Sequence, residues 1–287
     1  MMQTVSSVDE LRKAVAALRG QGQSIAFVPT MGNLHAGHIG LVHAAKALAD
    51  CVVVSIFVNP AQFGPSEDFL AYPRTEVADE QQLRRAGAEL LFLPEVEEMY
   101  PTAIAGMSFV EVPGLSSALC GHYRPGHFRG VATVVCKLFN QVQPDVAVFG
   151  EKDYQQLLII RRMVADLDMP IRIVGVPTVR EWDGLAMSSR NAYLSEDERA
   201  SASLLYENLN LAAAAMRAGR RDFAAIEYER TVDLIAMGFA TDYFSIRRQS
   251  DLGAPLVDDV ELIVMAAVRL GRARLIDNLR VRVPVLV

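Results

Sequence analysis

Five short runs rich in Val, Ile, Leu and Phe, at Ser24 to Val28, Cys51 to Val58, Glu89 to Leu93, Asp145 to Phe149 and Ile171 to Val176, recur along the first part of the chain. None alternates strictly between polar and apolar residues, which is how strands covered on both faces read. Between them Ile39 to Leu48, Glu76 to Ala86, Val131 to Val142 and Tyr154 to Ala165 have helical spacing. Strands alternating with helices predict a doubly wound parallel sheet of the Rossmann-like α/β class. Ser7 and Glu10 form a capping box ahead of Val8, Leu11, Val15 and Leu18, so a helix precedes these strands and ends near Gly20 and Gly22.

After Val179 the pattern changes. Ser201 to Ala218 reads as a Leu- and Ala-rich helix and Asp222 to Met237 as a second, while Tyr243 to Arg248, Leu262 to Val268 and Arg274 to Asp277 read as strands. This predicts a smaller α+β domain. Pro177 fixes its own φ and keeps Val176 extended, so Val176 to Thr178 is the expected hinge. Residues 1–178 are thus expected to form the nucleotide- and substrate-binding domain and residues 179–287 a C-terminal lid. A chain of 287 residues is long enough for that division. Its formal charge of −6 argues against nucleic acid as a partner. Cys51, Cys120 and Cys136 are odd in number and widely spaced, and neither a leader nor a long apolar segment is visible, so the expected location is the cytoplasm, away from membranes. The arginines at 269, 272, 274, 280 and 282 read as a solvated face.

Chemistry concentrates where strands end. Pro29 to His38 reads Pro-Thr-Met-Gly-Asn-Leu-His-Ala-Gly-His between a strand and a helix start, where unpartnered amides suit phosphate. His35 and His38 are three apart and share one face of the opening turn, and Gly37 puts no side chain between them. The alternative is a loop whose histidines are satisfied by backbone groups. A second turn, Gly150-Glu151-Lys152-Asp153 leading to Gln156, places a mobile cation near a glycine bend. Met187-Ser188-Ser189-Arg190-Asn191 offers two hydroxyls and a guanidinium, or equally a turn that caps the next helix. Asn59 and Gln62 of Asn-Pro-Ala-Gln-Phe, with Gln156, offer neutral amides suited to hydroxyl and carboxylate oxygens.

The His-x-Gly-His stretch resembles the signature of nucleotidyltransferases, and the wider set of motifs resembles the pantothenate synthetase family. The matching segments are Phe57-Val58-Asn59-Pro60 with Gln62-Phe63, Tyr72-Pro73-Arg74-Thr75, Arg124-Pro125-Gly126-His127-Phe128, Gly150 to Gln156, Val176 to Arg180, Asp183 to Asn191 and, more loosely, Arg274 to Asn278. The resemblance implies an ATP-dependent ligase that joins pantoate to β-alanine through a pantoyl adenylate, with Mg²⁺ and as a homodimer. It implies that Met31, Gly32, Asn33, Leu34, His35, Ala36, Gly37 and His38 bind ATP, with His38 as a proton donor. Gly150, Glu151, Lys152, Asp153, the backbone at Val179, and Met187, Ser188, Ser189 and Arg190 would also hold the nucleotide. Gln62 would touch pantoate and β-alanine, and Gln156 pantoate. His35, His38 and Lys152 are the expected catalytic set. Asp79 is the acidic position expected to help place Mg²⁺, with Ala78 where the family carries another acid. A class I aminoacyl-tRNA synthetase and an adenylyltransferase acting on a phosphorylated substrate share parts of the pattern, but the acidic balance and the neutral Gln62 and Gln156 disfavour both.

Overall fold

The computed structural model describes residues 2–65, 67–102 and 104–285. The strands are β1 (Gln3–Val5), β2 (Ile25–Thr30), β3 (Cys51–Ile56), β4 (Leu90–Phe92), β5 (Val146–Gly150), β6 (Arg172–Val176), β7 (Ala240–Arg248), β8 (Glu261–Leu270) and β9 (Ala273–Arg282). The helices are α1 (Val8–Gly20), α2 (Ala36–Lys46), α3 (Glu76–Ala86), α4 (Val96–Met99), α5 (Cys120–Tyr123), α6 (His127–Val142), α7 (Tyr154–Asp166), α8 (Glu196–Ala202), α9 (Leu204–Arg217) and α10 (Phe223–Ala236).

Strands β1 to β6 form a parallel sheet in the order β1-β4-β3-β2-β5-β6. Val52, Val54, Ala26, Val28, Val146 and Val148 are fully or almost fully buried and pack with Val42 and Ala45 of α2 and Leu83 of α3. On the other face Phe27 and Phe149 pack on Phe139 of α6, with ring centroids 6.4 and 6.3 Å apart, so unbroken apolar strands do mark a sheet covered on both faces. The chain moves from β2 to β3 on one side and reaches β5 on the other, so the carboxyl end of β2 lies where the strand order reverses. Ligands of open α/β sheets bind at that point. The segments after β2, β3 and β5 leave the same edge of the sheet from adjacent strands.

Strands β7, β8 and β9 form an antiparallel sheet, with β8 central. Leu262, Val264, Ala266 and Val268 alternate along β8 and are fully buried against Leu205, Leu209 and Ala212 of α9 and Ile226 of α10. The chain groups into two compact units, Met1–Glu151 with Gln156–Pro177, and Lys152–Gln155 with Thr178–Val287. Lys152 to Gln155, which sequence order assigns to the sheet, thus group with the second unit. No helix among the described residues is long and apolar enough to cross a membrane.

Three local outcomes depart from the expectations of the sequence. The helix expected from Ser201 begins at Leu204 as α9, and its first residues belong to a separate short helix, α8, which the Ser195 and Glu198 capping box starts earlier. Strand β9 runs on to Arg282, past the expected end at Asp277. Among the arginines read as solvated, Arg274 pairs with Asp242 at 2.8 Å.

Candidate functional site

The turn after β2 is built around glycine and an acid. Gly32 has φ +80°, and a Cβ there would lie 3.0 Å from Ile56 Cγ2 and 3.1 Å from Asp79 Oδ2. Asn33 follows at φ 49°. Backing this turn, Asp79 of α3 accepts from the Asn33 and Leu34 amides, each at 2.8 Å, and from the Thr75 hydroxyl at 3.1 Å. Asp79 is 1 % exposed. Both carboxylate oxygens thus face the turn, Oδ2 with two donors and Oδ1 with one. Asp79 is the anchor of the turn.

Next, the two histidines cap α2 reciprocally. The Gly37 amide donates to His35 Nδ1 at 3.1 Å, and the His35 amide donates to His38 Nδ1 at 3.3 Å. This is a capping box with imidazoles in place of Ser and Glu. An Nδ1 that accepts an N–H carries no proton, so each neutral ring has its proton on Nε2. The ring centroids are 4.1 Å apart. The backbone-satisfied reading therefore accounts for the Nδ1 of each ring.

The turn after β3 is a buried amide network. Asn59, 1 % exposed, accepts on Oδ1 from the Ala61 amide at 3.2 Å and the Tyr100 hydroxyl at 2.7 Å. Its Nδ2 donates to the Gly130 carbonyl at 3.2 Å and to Gln62 Oε1 at 3.1 Å. Gln62 Nε2 in turn donates to Met31 Sδ at 2.8 Å, which joins this turn to the start of the histidine segment. Burial pushes the Tyr100 hydroxyl's ionisation upward, so it stays a proton donor. Gly130 admits this packing: a Cβ there would lie 2.2 Å from the Ala61 carbonyl oxygen.

On the other side of Gln62, His127 Nδ1 lies 2.8 Å from the Gln62 carbonyl and its Nε2 lies 3.0 Å from Arg124 Nη1. A carbonyl only accepts and a guanidinium only donates, so His127 is neutral with its proton on Nδ1. Arg124 forks onto Glu67 at 2.6 and 2.7 Å. Burial opposes ionisation of Glu67, but the Arg124 guanidinium outweighs it and holds the carboxyl at about 2, below its ordinary 4.5. A depressed carboxylate pKa contributes stability that is complete above the unfolded value and disappears as pH falls through the folded one. The stability difference between the native chain and Glu67→Gln should therefore be constant above about pH 4.5 and vanish towards pH 2. Urea titrations across that range test this; a difference already absent at pH 4 would contradict it.

The turn after β5 carries Gly150, which pairs with Val176, and then Glu151, Lys152 and Asp153 in a single 3₁₀ turn. Lys152 Nζ lies 3.7 Å from Asp153 Oδ2. The Lys152 carbonyl accepts from Asn278 Nδ2 at 2.9 Å, and the Tyr154 hydroxyl donates to the Gln249 carbonyl at 3.0 Å. Gln156 stands in the first turn of α7, partly buried. Val179 accepts on its carbonyl from the Met187 amide at 3.0 Å, closing a loop. Ser188 caps the 3₁₀ turn Ser189–Tyr193 through the Arg190 amide, whereas the next helix, α8, is capped by Ser195 and not by this segment. Lys152, Ser188, Asn191 and Asp277 line one recess in the second unit. Nearby, Arg180 forks onto the buried Asp277 at 2.6 and 2.9 Å and lies 3.7 Å over the Tyr206 ring. Burial pushes the Asp277 carboxyl up, against the pull of Arg180.

The sequence does not disclose the roles of Asp79, Tyr100, Glu67 and Asn278, since each acts through tertiary contacts. The Arg-Pro-Gly-His and Ile-Asp-Asn segments are the available signals for two of them.

A sequence profile described as Pantoate-beta-alanine ligase matches residues 3–280. The chain is 61 % identical over 277 residues to the pantothenate synthetase of Methylococcus capsulatus, covering 96 % of this chain and 97 % of that one. It is 59 % identical over 278 residues to the pantothenate synthetase of Pseudomonas entomophila, covering 97 % of each. Among solved structures, pantothenate synthetase from Thermus thermophilus superposes with a TM-score of 0.90 at 49 % identity, covering 97 % of this chain and 99 % of that one. Pantoate-beta-alanine ligase from Francisella tularensis, complexed with beta-gamma ATP and beta-alanine, gives 0.83 at 34 % identity, covering 97 % of each.

Proposed function

The chain belongs to the Pantoate-beta-alanine ligase family, and on that premise we propose that it joins pantoate to β-alanine at the expense of ATP. The pantoate carboxylate attacks the α-phosphorus, pyrophosphate leaves, and the β-alanine amine then attacks the mixed anhydride to release AMP. No protein nucleophile is required. The work of the protein is to place the reactants and to meet charge as it develops on phosphate oxygens.

The Met31–His38 segment binds ATP, with His35 and His38 directing Nε2–H donors at phosphate oxygens because their Nδ1 atoms are spent on amides. This reciprocal cap is the observation that carries the reading. Gly150 to Asp153, Val179 and Met187 to Arg190 complete nucleotide binding, with Lys152 and Arg190 as the cations. Gln62 and Gln156 bind the acceptor side. A neutral amide suits an attacking carboxylate, since a clamped arginine would stabilise its ground state and blunt its attack. Mg²⁺ would come with the phosphates of ATP and neutralise their charge, and Asp79, which holds the Asn33 and Leu34 amides, would help to place it. The three cysteines are free thiols, which supports a reducing cytoplasm. By family resemblance the working form is a homodimer.

With MgATP, pyrophosphate exchange should require pantoate, and AMP release should require β-alanine as well. Exchange that ignores pantoate would refute the assignment. Light scattering on the same preparation reads the assembly.

A further inference from the structure

We propose that Tyr100 is a positioning residue for substrate, acting through Asn59 to hold the Gln62 amide with its NH₂ end towards the acceptor. The proposal rests on the reading of Gln62 as a pantoate-binding group and adds what determines its polarity.

A primary amide has a donor end and an acceptor end of nearly the same shape, so its direction is set by its neighbours. At Asn59 the two backbone neighbours set the direction, and the Tyr100 hydroxyl, which can donate or accept, reinforces it. The Ala61 amide can only donate, so Oδ1 faces it; the Gly130 carbonyl can only accept, so Nδ2 faces that. Tyr100 donates to the same Oδ1 at 2.7 Å, the shortest contact of Asn59. Asn59 Nδ2 then requires an acceptor at Gln62, which is Oε1 at 3.1 Å. The Gln62 NH₂ group is left at the far end, against the thioether of Met31. A thioether is a weak acceptor, so an anionic or hydroxyl oxygen arriving there gains a stronger partner than the one it displaces. The whole chain of bonds therefore points its donors one way, towards an oxygen-bearing substrate. Tyr100, Asn59 and Gln62 are each 9 % exposed or less, so water does not compete for the relay.

Tyr100→Phe removes the hydroxyl and keeps the ring, which packs near Phe57. It should raise the apparent KM for pantoate in pyrophosphate exchange by about fivefold to tenfold, as expected for one lost buried hydrogen bond, with the KM for ATP within about twofold of native. Asn59→Asp keeps the acceptor towards Ala61 and Tyr100 but loses the donor to Gln62 Oε1 and to the Gly130 carbonyl, and should show the same pantoate-selective loss. In a Gln62→Ala background, Tyr100→Phe should add nothing to the pantoate KM, because residues acting through one group are not additive. Independent, multiplying effects would overturn the relay, as would a pantoate KM unmoved by Tyr100→Phe. Should Gln62→Ala alone leave the pantoate KM unchanged, the reading of Gln62 fails and the relay with it, a result separate from failure of the Tyr100 arm. Should Tyr100→Phe fail to fold by circular dichroism, Asn59→Asp decides: a KM for ATP raised as much as that for pantoate would overturn the proposal.

Discussion

Lys152→Ala is expected to slow adenylate formation by roughly 10² or more while the fold survives. The lysine's ion pair with Asp153 is long at 3.7 Å, so its loss takes little from stability. Its backbone is held independently, by Asn278 at the Lys152 carbonyl and by Tyr154 two residues on. Truncating the side chain therefore removes a charge from an otherwise intact turn. That charge is worth most when the pyrophosphate leaves, since negative charge then gathers on the departing oxygens. Pantoate affinity should change little. Lys152→Arg should recover only part of the rate, because a planar fork replaces a compact point charge. Single-turnover measurement of adenylate formation checks this, and a loss below about tenfold for Lys152→Ala would remove the lysine from the catalytic set.

The largest stability effect is expected from Asp277→Ala. Asp277 is buried, and its carboxylate is the counter-charge of Arg180, whose other donors go to the Gly184 and Asn278 carbonyls. Removing it leaves a largely buried guanidinium without an anion, a loss of about 3 to 5 kcal/mol. Asp277→Asn should cost less, because a carboxamide oxygen still accepts one of the two bonds. Urea denaturation followed by circular dichroism measures both. A loss under about 1 kcal/mol for Asp277→Ala would mean that water reaches Arg180 and replaces the carboxylate.

The parallel sheet is legible in the sequence because burial on both faces leaves a signature in each strand separately: Cys51–Ile56 is buried at all six positions. Strand β1 is not, since three residues beginning Gln3-Thr4 carry no pattern and take their place from pairing with β4. The histidine segment is legible from its spacing, and the cap at Ser7 from its partner three residues on. What spacing cannot show is that two backbone amides occupy the Nδ1 atoms of these imidazoles. The contacts of Asp79 are hidden for a related reason: its place after Tyr-Pro-Arg-Thr is visible in the sequence, and only the tertiary structure shows its oxygens turned to the Asn33 and Leu34 amides. Tyr100 and Asn278 lie 41 and 126 residues from the groups they hold, beyond any local pattern.

The grouping of Lys152–Gln155 with Thr178–Val287 bears on how such a chain can be taken apart and recombined. A chimera joined at the Pro177–Thr178 boundary would import a new second unit while keeping the old Lys152 turn, so Asn278 and Gln249 of one parent would face residues 152 and 154 of another. Modular exchange at that boundary is thus a two-piece graft. The four-residue insert at 152–155 has to travel with the C-terminal segment, or the lysine arrives in the hybrid without the partners that hold its backbone.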